Sequence, residues 1–213
     1  MKKNDSNSSE SSERIYKAAT ALFARNGYNG TSIRDIARAV GLSVSTVNYH
    51  VGSKESLYRE ILRRTFVMES EMFSPLTQNS DTRTWQSLDE LKDFFMRFAE
   101  RFLERILIDP DTFRLWTFHY LEASEELNEL DREFSLPFYT FIFEEFQRAR
   151  EAGLINKSDE FIKLYITSAS WMLHGYFNGR KNNWGANDYD PYDPGNIQEF
   201  KEYLMRYLDR FIE

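Results

Sequence analysis

The chain has 213 residues, of which 41% are hydrophobic and 16% aromatic, so it can bury a substantial core and is not intrinsically disordered overall. It contains no cysteine, which excludes a disulfide framework, thiolate metal ligands and a cysteine nucleophile. No stretch approaches the ~20 apolar residues of a membrane helix, and no apolar targeting segment follows Lys2 and Lys3, so we expect a cytoplasmic protein with no membrane partner.

The formal net charge of −7 is unevenly distributed along the chain. Residues 1–64 contain eleven Lys/Arg and six Asp/Glu, a balance of +5, which leaves −12 for residues 65–213. A basic N-terminal module joined to an acidic body indicates that only the front of the chain faces a polyanion. Chance segregation of solvated charges would give the same balance.

The predicted elements are helical almost throughout, and no convincing alternating strand is found. Residues 1–12 are polar and Ser-rich and predict a disordered tail. From Glu13 the apolar residues recur every three or four positions, which predicts a first helix that ends at Asn26-Gly27.

Two short helices follow the first. Ser32, with Asp35 three residues later, is a capping-box pattern that opens the second helix, and Gly41 ends it. Ser43 caps the third helix, which runs to about His50. Two short helices around a tight turn predict a helix-turn-helix, whose second helix exposes polar groups that suit base edges and phosphates. These exposed groups are Ser45, Thr46, Asn48 and Tyr49.

The rest of the chain predicts a fourth helix and five further helices. Pro75 is an upper limit for the fourth helix, because a proline disfavours the helical conformation of the residue before it. Asp109-Pro110 is a favourable cap and first residue for one later helix, and Asp159 caps another. The last helix covers roughly 197–212.

Three segments lie at ungapped spacing: LFARNGY at residues 22–28, TSIRDIARAVGLS at 31–43 and YHVGSKESLY at 49–58. Together they resemble the TetR/AcrR family of transcriptional regulators. The resemblance implies an all-α fold of about nine helices, with a three-helix helix-turn-helix DNA-binding domain at residues 13–62. The larger helical domain, at 63–213, would bind an effector and form a dimer through its last two helices.

The resemblance also implies which residues contact DNA. The N-terminus of the second helix, at Thr31 and Ser32, would hold a phosphate, because amide donors and the helix dipole favour anions there. The first turn of the third helix would enter the major groove, and Tyr49, His50 and Lys54 would reach phosphates. Each position also fits a structural role, as a helix cap, a packed or hydrogen-bonded ring, or a solvated lysine. The implied contacts are Thr31, Ser32, Ser43, Val44, Ser45, Thr46, Asn48, Tyr49, His50 and Lys54.

Two positions depart from the family pattern. Asn48 stands where tyrosine is common, and an asparagine can pair bidentately with N6 and N7 of adenine. Val51 replaces a common phenylalanine, which predicts a slightly under-filled core in the small domain.

The larger domain carries aromatic residues whose polar tips suit an apolar ligand pocket, although aromatics at helical spacing also form ordinary core. The acidic residues between 122 and 133 would either attract a cationic ligand or form a solvated face. A stripe of Leu204, Leu208 and Phe211 exceeds what one intrachain face needs and predicts a homodimer. The candidate effector-binding residues are Phe102, Trp116, His119, Tyr120, Trp171 and His174.

The leading interpretation is a repressor that a small, largely apolar ligand releases from a palindromic duplex operator. The alternative is a DNA-binding architectural or assembly factor of the same fold without a small-molecule effector. An enzyme is not expected, because the sequence has no HExxH motif, glycine-rich phosphate loop or catalytic triad pattern. His50, His119 and His174 form no recognisable metal pattern, and no cofactor is expected.

Overall fold

The structure, a computed structural model, describes residues 2–78, 80–122, 125–179 and 189–212. These ranges contain ten α-helices, one 3₁₀ turn at Ser80–Thr82, one π-helical turn at Asp131–Ser135 and no strand. The all-helical fold class expected from the sequence is confirmed. In the same ranges, no helix combines the length and the apolar character that crossing a bilayer requires. The helices are α1 (Lys2–Asn26), α2 (Ile33–Val40), α3 (Val44–Val51), α4 (Lys54–Thr77), α5 (Leu88–Ile108), α6 (Pro110–Leu121), α7 (Glu125–Leu130), α8 (Leu136–Glu151), α9 (Asp159–Asn178) and α10 (Pro194–Ile212).

The chain forms two compact units that do not coincide with the two halves of the sequence. Unit 1 joins Met1–Glu69 to Asp109–Phe134, and unit 2 joins Ser70–Ile108 to Ser135–Glu213. The predicted boundary after residue 62 lies near the end of the first segment of unit 1. Helix α6, which falls inside the larger domain expected at 63–213, belongs instead to the same unit as the helix-turn-helix.

The core of unit 1 is built from side chains at helical spacing. On α1, Ile15, Ala19 and Phe23 lie four residues apart and are at most 1% exposed. Leu57 on α4 and Leu115 on α6 are completely buried in the same cluster. Since burying such apolar side chains is the main favourable contribution to folding, α6 stabilises the helix-turn-helix directly.

The ends of α2 and α3 follow the sequence signals. Ser32 and Asp35 form a complete capping box at the start of α2. Gly41 adopts a φ of +70°, the left-handed conformation that the turn between the two helices requires. The Ser43 hydroxyl accepts a hydrogen bond from the Thr46 amide and caps α3. The predicted capping roles are confirmed.

Several helix boundaries differ from the sequence predictions. Helix α1 begins at Lys2 and therefore includes residues expected to form a disordered tail. Helix α4 continues through Pro75 to Thr77, since a proline this close to the C-terminus interrupts only the last turn. The cap of α9 is Ser158 rather than Asp159, and α10 begins at Pro194, three residues earlier than expected.

The core of unit 2 is dominated by stacked rings. Phe95 lies 4.3 Å from Phe146, and Phe211 of α10 lies 4.0 Å from Tyr165 of α9, as ring centroids. The stripe of α10 that predicted a dimer faces inward: Leu208 is 3% exposed and Phe211 5%. That argument for dimerisation was wrong, because these side chains complete the core of their own unit.

Candidate nucleic-acid interface

The packing of α3 against α2 decides which side chains reach solvent. Val47 and Val51, four residues apart on α3, are 0% and 8% exposed and face the core. Ala37 on α2 is also buried, and its small side chain permits a close approach of the two helices. The opposite face of α3 is left exposed, with Ser45, Asn48 and Tyr49 along it.

The first turn of α3 presents a cluster of hydroxyl groups. The Ser43 Oγ lies 2.8 Å from Ser45 Oγ and 2.7 Å from Thr46 Oγ1, and it accepts the Thr46 amide at 3.0 Å. Val44 beside it is 39% exposed and offers an apolar surface. Hydroxyls and a methyl-bearing side chain at a helix N-terminus suit phosphates, base edges and thymine methyl groups.

Tyr49 and His50 lie at the other end of α3. Tyr49 is 85% exposed, so the alternative that it packs on a neighbouring helix is wrong. Its ring meets the His50 ring edge-on, with centroids 5.5 Å apart. His50 is half-buried, and its Nδ1 lies 3.4 Å from Ser12 Oγ on α1. That contact engages only one of the two ring nitrogens, so His50 can be held by α1 and still present the other nitrogen.

Lys54 is held in place by an aromatic ring. Its Nζ lies 4.0 Å from the centroid of the Tyr28 ring, which follows α1 and is 7% exposed. A cation over an aromatic face is attracted by the ring quadrupole, and the ammonium keeps its donors for an anion. Lys54 is therefore a positioned cation rather than an ordinary solvated lysine.

The N-terminus of α2 is less suited to a phosphate than the sequence indicated. Thr31 is 2% exposed, and its hydroxyl donates to the Gly27 and Leu22 carbonyl oxygens at 2.9 and 3.2 Å. The Ser32 amide donates to Asp35 Oδ2, and hydrogen bonds from Ser32 lower the pKa of the Asp35 carboxyl. A charged carboxylate thus occupies this helix end. The predicted contact of Thr31 with DNA is corrected, because its side chain is buried and its amide donates to the Tyr28 carbonyl oxygen at 3.3 Å.

The structure divides the six candidate effector-binding residues between the two units. In unit 1, the His119 ring is 1% exposed, with Nδ1 3.3 Å from the Tyr58 hydroxyl and Nε2 3.0 Å from Asp131 Oδ1. Trp116 stacks on Tyr120 at 5.8 Å, and among the described residues its buried Nε1 has no hydrogen-bond partner.

The other three candidates lie in unit 2. Phe102 contacts the rings of Phe73 and Phe138, with centroids 6.2 and 5.9 Å away. Trp171 is 42% exposed, whereas His174 is buried, and burial lowers the pKa of His174 to about 4. In the described ranges, no three His, Asp or Glu side chains are grouped so that they could hold a metal ion.

Glu122, the C-cap residue of α6, bonds to the turn after α1, a contact that the sequence reasoning missed. Its Oε2 accepts the amides of Tyr28 at 2.9 Å and Asn29 at 3.2 Å, in the turn after α1. Further along, Glu133 forms an ion pair of 2.5 Å with Arg59 of α4. This part of the acidic segment therefore bonds to its own unit. Nothing in the sequence signals these pairs, because the partners lie 74 to 94 residues apart.

An exposed polar helix in a helix-turn-helix, with a positioned cation next along the chain, is the arrangement typical of DNA-binding modules. Residues 15–61 match the sequence model of the family described as "Bacterial regulatory proteins, tetR family". This match covers the helix-turn-helix region of the chain, and the resemblance to this family seen in three segments between residues 22 and 58 is confirmed there.

Relatives of known role match less than half of the chain. The chain is 27% identical over 95 residues to the IcaR protein of Staphylococcus aureus, described as an HTH-type negative transcriptional regulator of a biofilm operon. The IcaR protein of Staphylococcus epidermidis is 30% identical over 86 residues. These matches cover 45% and 40% of this chain and 49% and 44% of the relatives, so the chain spans about half the length of the curated relatives it matches.

Solved structures match over nearly the whole chain and bear on the fold. The hemolysin II transcriptional regulator HlyIIR aligns with a TM-score of 0.65 at 18% identity and covers 97% of this chain and 99% of its own. The TetR-family regulator PfmR of Thermus thermophilus aligns with a TM-score of 0.65 at 20% identity, covering 94% of each chain. The helices of unit 2, which no sequence motif identified, therefore also follow the fold of TetR-family regulators.

Proposed function

We propose that the protein is a transcriptional repressor that binds duplex DNA through α3. The observation that carries the proposal is the exposed face of α3, where the described part of the chain leaves Asn48 and Tyr49 uncovered and Lys54 lies next along the chain. The match to IcaR, which is described as a negative regulator, supports repression rather than activation.

The contacts divide into two kinds. The first turn of α3, from Ser43 to Thr46, together with Asn48, enters the major groove and reads base edges. Tyr49, His50 and Lys54 bind phosphates and fix the register of the helix. Ser32 contributes at most its exposed hydroxyl, and Thr31 acts only within the fold.

The protein acts as a homodimer that recognises a palindromic operator. Phe161, Leu164 and Trp171 of α9 are 49%, 59% and 42% exposed and lie on one helix face, and Tyr203 of α10 is 56% exposed. Side chains of this size and apolarity indicate a protein surface as their partner. A two-fold dimer places two copies of α3 on two half-sites, so the operator mirrors the symmetry of the protein.

A small, largely apolar ligand releases the repressor from DNA. Among the described residues the buried Nε1 of Trp116, whose ring stacks on Tyr120, donates to no acceptor, and a ligand with one acceptor atom would satisfy this donor. The architectural alternative requires no such ligand.

Selection of duplexes from a random pool tests the DNA-binding part. We expect a palindromic motif with half-sites one helical turn apart, and recovery of an unenriched pool would contradict sequence-specific binding. The effector part is tested on the selected duplex, labelled for fluorescence anisotropy, against a panel of small apolar compounds. A compound that lowers the anisotropy for the parent but not for Trp116→Phe supports the ligand. Retention of the duplex with every compound favours the architectural alternative.

A further inference from the structure

One carboxylate oxygen organises the turn that leads into the helix-turn-helix. Glu122 lies at the end of α6, and its Oε2 accepts two consecutive amides, those of Tyr28 at 2.9 Å and Asn29 at 3.2 Å. A charged acceptor of two backbone amides forms hydrogen bonds that are stronger than neutral ones. The path of residues 27–29 is therefore set by a side chain more than ninety positions away in the sequence.

The turn is shaped to admit this carboxylate. Gly27 has a φ of +76°, and a Cβ on this residue would lie 2.0 Å from Glu122 Oε1. Any other residue at position 27 would both strain the backbone and displace the carboxylate. The conformation of Gly27 and the position of the Glu122 carboxylate thus depend on each other.

The turn at residues 27–29, held by Glu122, determines in turn where the Tyr28 ring lies. The ring packs on Tyr58, with centroids 4.8 Å apart, and on Phe23, at 6.1 Å. The Lys54 ammonium also lies against this ring, 4.0 Å from its centroid. The ring is only 7% exposed and packs on other rings. Its position is therefore fixed by the position of its own backbone and does not adjust to movements of Lys54.

We infer that Glu122 and Tyr28 are positioning residues for the DNA contact of Lys54. The carboxylate holds the two amides, the turn holds the ring, and the ring holds the ammonium where it meets a phosphate. This inference rests on the proposed function, since it assumes that Lys54 binds DNA. It makes a residue at the end of α6, outside the helix-turn-helix sequence, a determinant of phosphate binding.

The alternative is that Glu122 merely stabilises unit 1. The two possibilities differ in what a substitution does to salt dependence. Each phosphate contact releases counterions, so the loss of one contact lowers the slope of log affinity against log salt concentration. A loss of fold stability alone reduces the active fraction and leaves that slope unchanged.

The experiment compares conservative and disruptive variants on one duplex, the one recovered by selection with the parent protein. Lys54→Met should weaken binding about tenfold for each contact at 0.1 M salt and lower the slope. Glu122→Ala and Tyr28→Leu should reproduce both effects, and neither should weaken binding further when combined with Lys54→Met. Glu122→Gln keeps the acceptor and Tyr28→Phe keeps the ring, so both should restore the parent slope. The matched control is Glu129→Ala, an exposed carboxylate of the same acidic segment that lies 3.7 Å from Arg59 and should behave as the parent.

The possible failures point to different errors. An unchanged slope for Glu122→Ala, or a loss that adds to that of Lys54→Met, would overturn the positioning role while leaving the proposed function intact. If Lys54→Met changes neither affinity nor slope, the phosphate contact itself is absent, and the inference falls with that part of the proposed function. Thermal melts identify any variant that fails to fold. If Glu122→Ala fails to fold, the comparison of Tyr28→Leu with Tyr28→Phe tests the inference instead. Parent-like binding by Tyr28→Leu would then overturn it.

Discussion

Helices α3 and α9 both expose side chains that their own unit does not bury, but the chemistry of the two surfaces differs. On α3 the exposed residues include Asn48 and Tyr49, which carry polar groups, and the positioned ammonium of Lys54 lies next along the chain. On α9 they include Leu164 and Trp171, which are 59% and 42% exposed. The first surface suits a hydrated polyanion and the second suits an apolar protein surface. Exposure shows which side chains a partner can reach, and the side-chain chemistry indicates the kind of partner that each surface suits.

The spacing of the α9 surface supports a helix partner. Phe161, Leu164, Ser168, Trp171 and Gly175 follow one another at alternating intervals of three and four residues, which keeps them on one face. At Gly175, an added Cβ would meet no atom of the described residues within 4 Å, so a second helix could approach closely there.

The largest expected effect is the loss of the dimer when α9 carries a charge. Trp171→Glu and Leu164→Glu should each give a monomer at micromolar concentration, because a buried, unpaired carboxylate is strongly unfavourable in an apolar interface. Light scattering measures the mass directly. Tyr49→Glu places the same charge on the exposed face of α3 and should leave the dimer intact. A monomeric parent protein, or a dimeric Trp171→Glu variant, would contradict the assignment of α9.

The second largest expected effect is a difference in salt dependence between DNA binding through α3 and dimerisation through α9. Two copies of Tyr49 and Lys54 imply several phosphate contacts, so DNA affinity should fall by orders of magnitude between about 50 and 200 mM salt. Lys54→Ala should lower the slope and weaken all duplexes alike. The mass of the dimer, which the apolar face of α9 holds together, should stay constant over the same range of salt concentration. Flat salt dependence of DNA binding would count against the role assigned to α3.

The inward face of α9 predicts acid sensitivity through His174. Burial lowers the pKa of His174 to about 4, below its value of about 6.5 in an unfolded chain. The unfolded state therefore binds a proton first as the pH falls, and the free energy of unfolding decreases between about pH 6.5 and 4, by up to about 3 kcal/mol. Denaturant unfolding of the parent and of His174→Gln, at one fixed protein concentration, measures the difference. Parallel pH profiles for the two proteins would exclude His174 as the cause.

The helix-turn-helix could be predicted from sequence because its signals are local. Caps such as Ser32 and Ser43 bond to amides three residues away, and Gly41 is required by the conformation of a single residue. The interpretation of α10 failed because Leu208 is buried by helices distant in sequence. The contact of Glu122 was missed for the same reason.

A different factor limited the prediction of the candidate effector site from the sequence. Trp116, His119 and Tyr120 are neighbours on α6, and their helical spacing was read correctly. Which compact unit contains α6 depends on the contacts of Leu115 with the core of α1 and α4, and no pattern within α6 itself reveals that. Aromatic composition therefore predicted buried rings but not where in the molecule they lie.

The smallest expected effect is on α3 itself, where Asn48 distinguishes base reading from simple phosphate binding. Asn48 is exposed and lies between Val47, which is 0% exposed, and Tyr49, which is 85% exposed. If its amide pairs with adenine, Asn48→Ala should cost about 1–3 kcal/mol on the best duplex and relax preference at one symmetric pair of positions. Selection from random duplexes with both proteins measures this directly.

Two outcomes of that selection would assign Asn48 a different role. If variant and parent recover the same motif with equal information at every position, Asn48 is a phosphate contact or a spacer. If the loss is small and Asn48→Tyr binds more tightly than the parent, the shorter side chain leaves a gap that water fills above the base. The Ser43 cap provides the control, because Ser43→Ala should lower the free energy of unfolding by about 1 kcal/mol without altering the preference at the Asn48 positions.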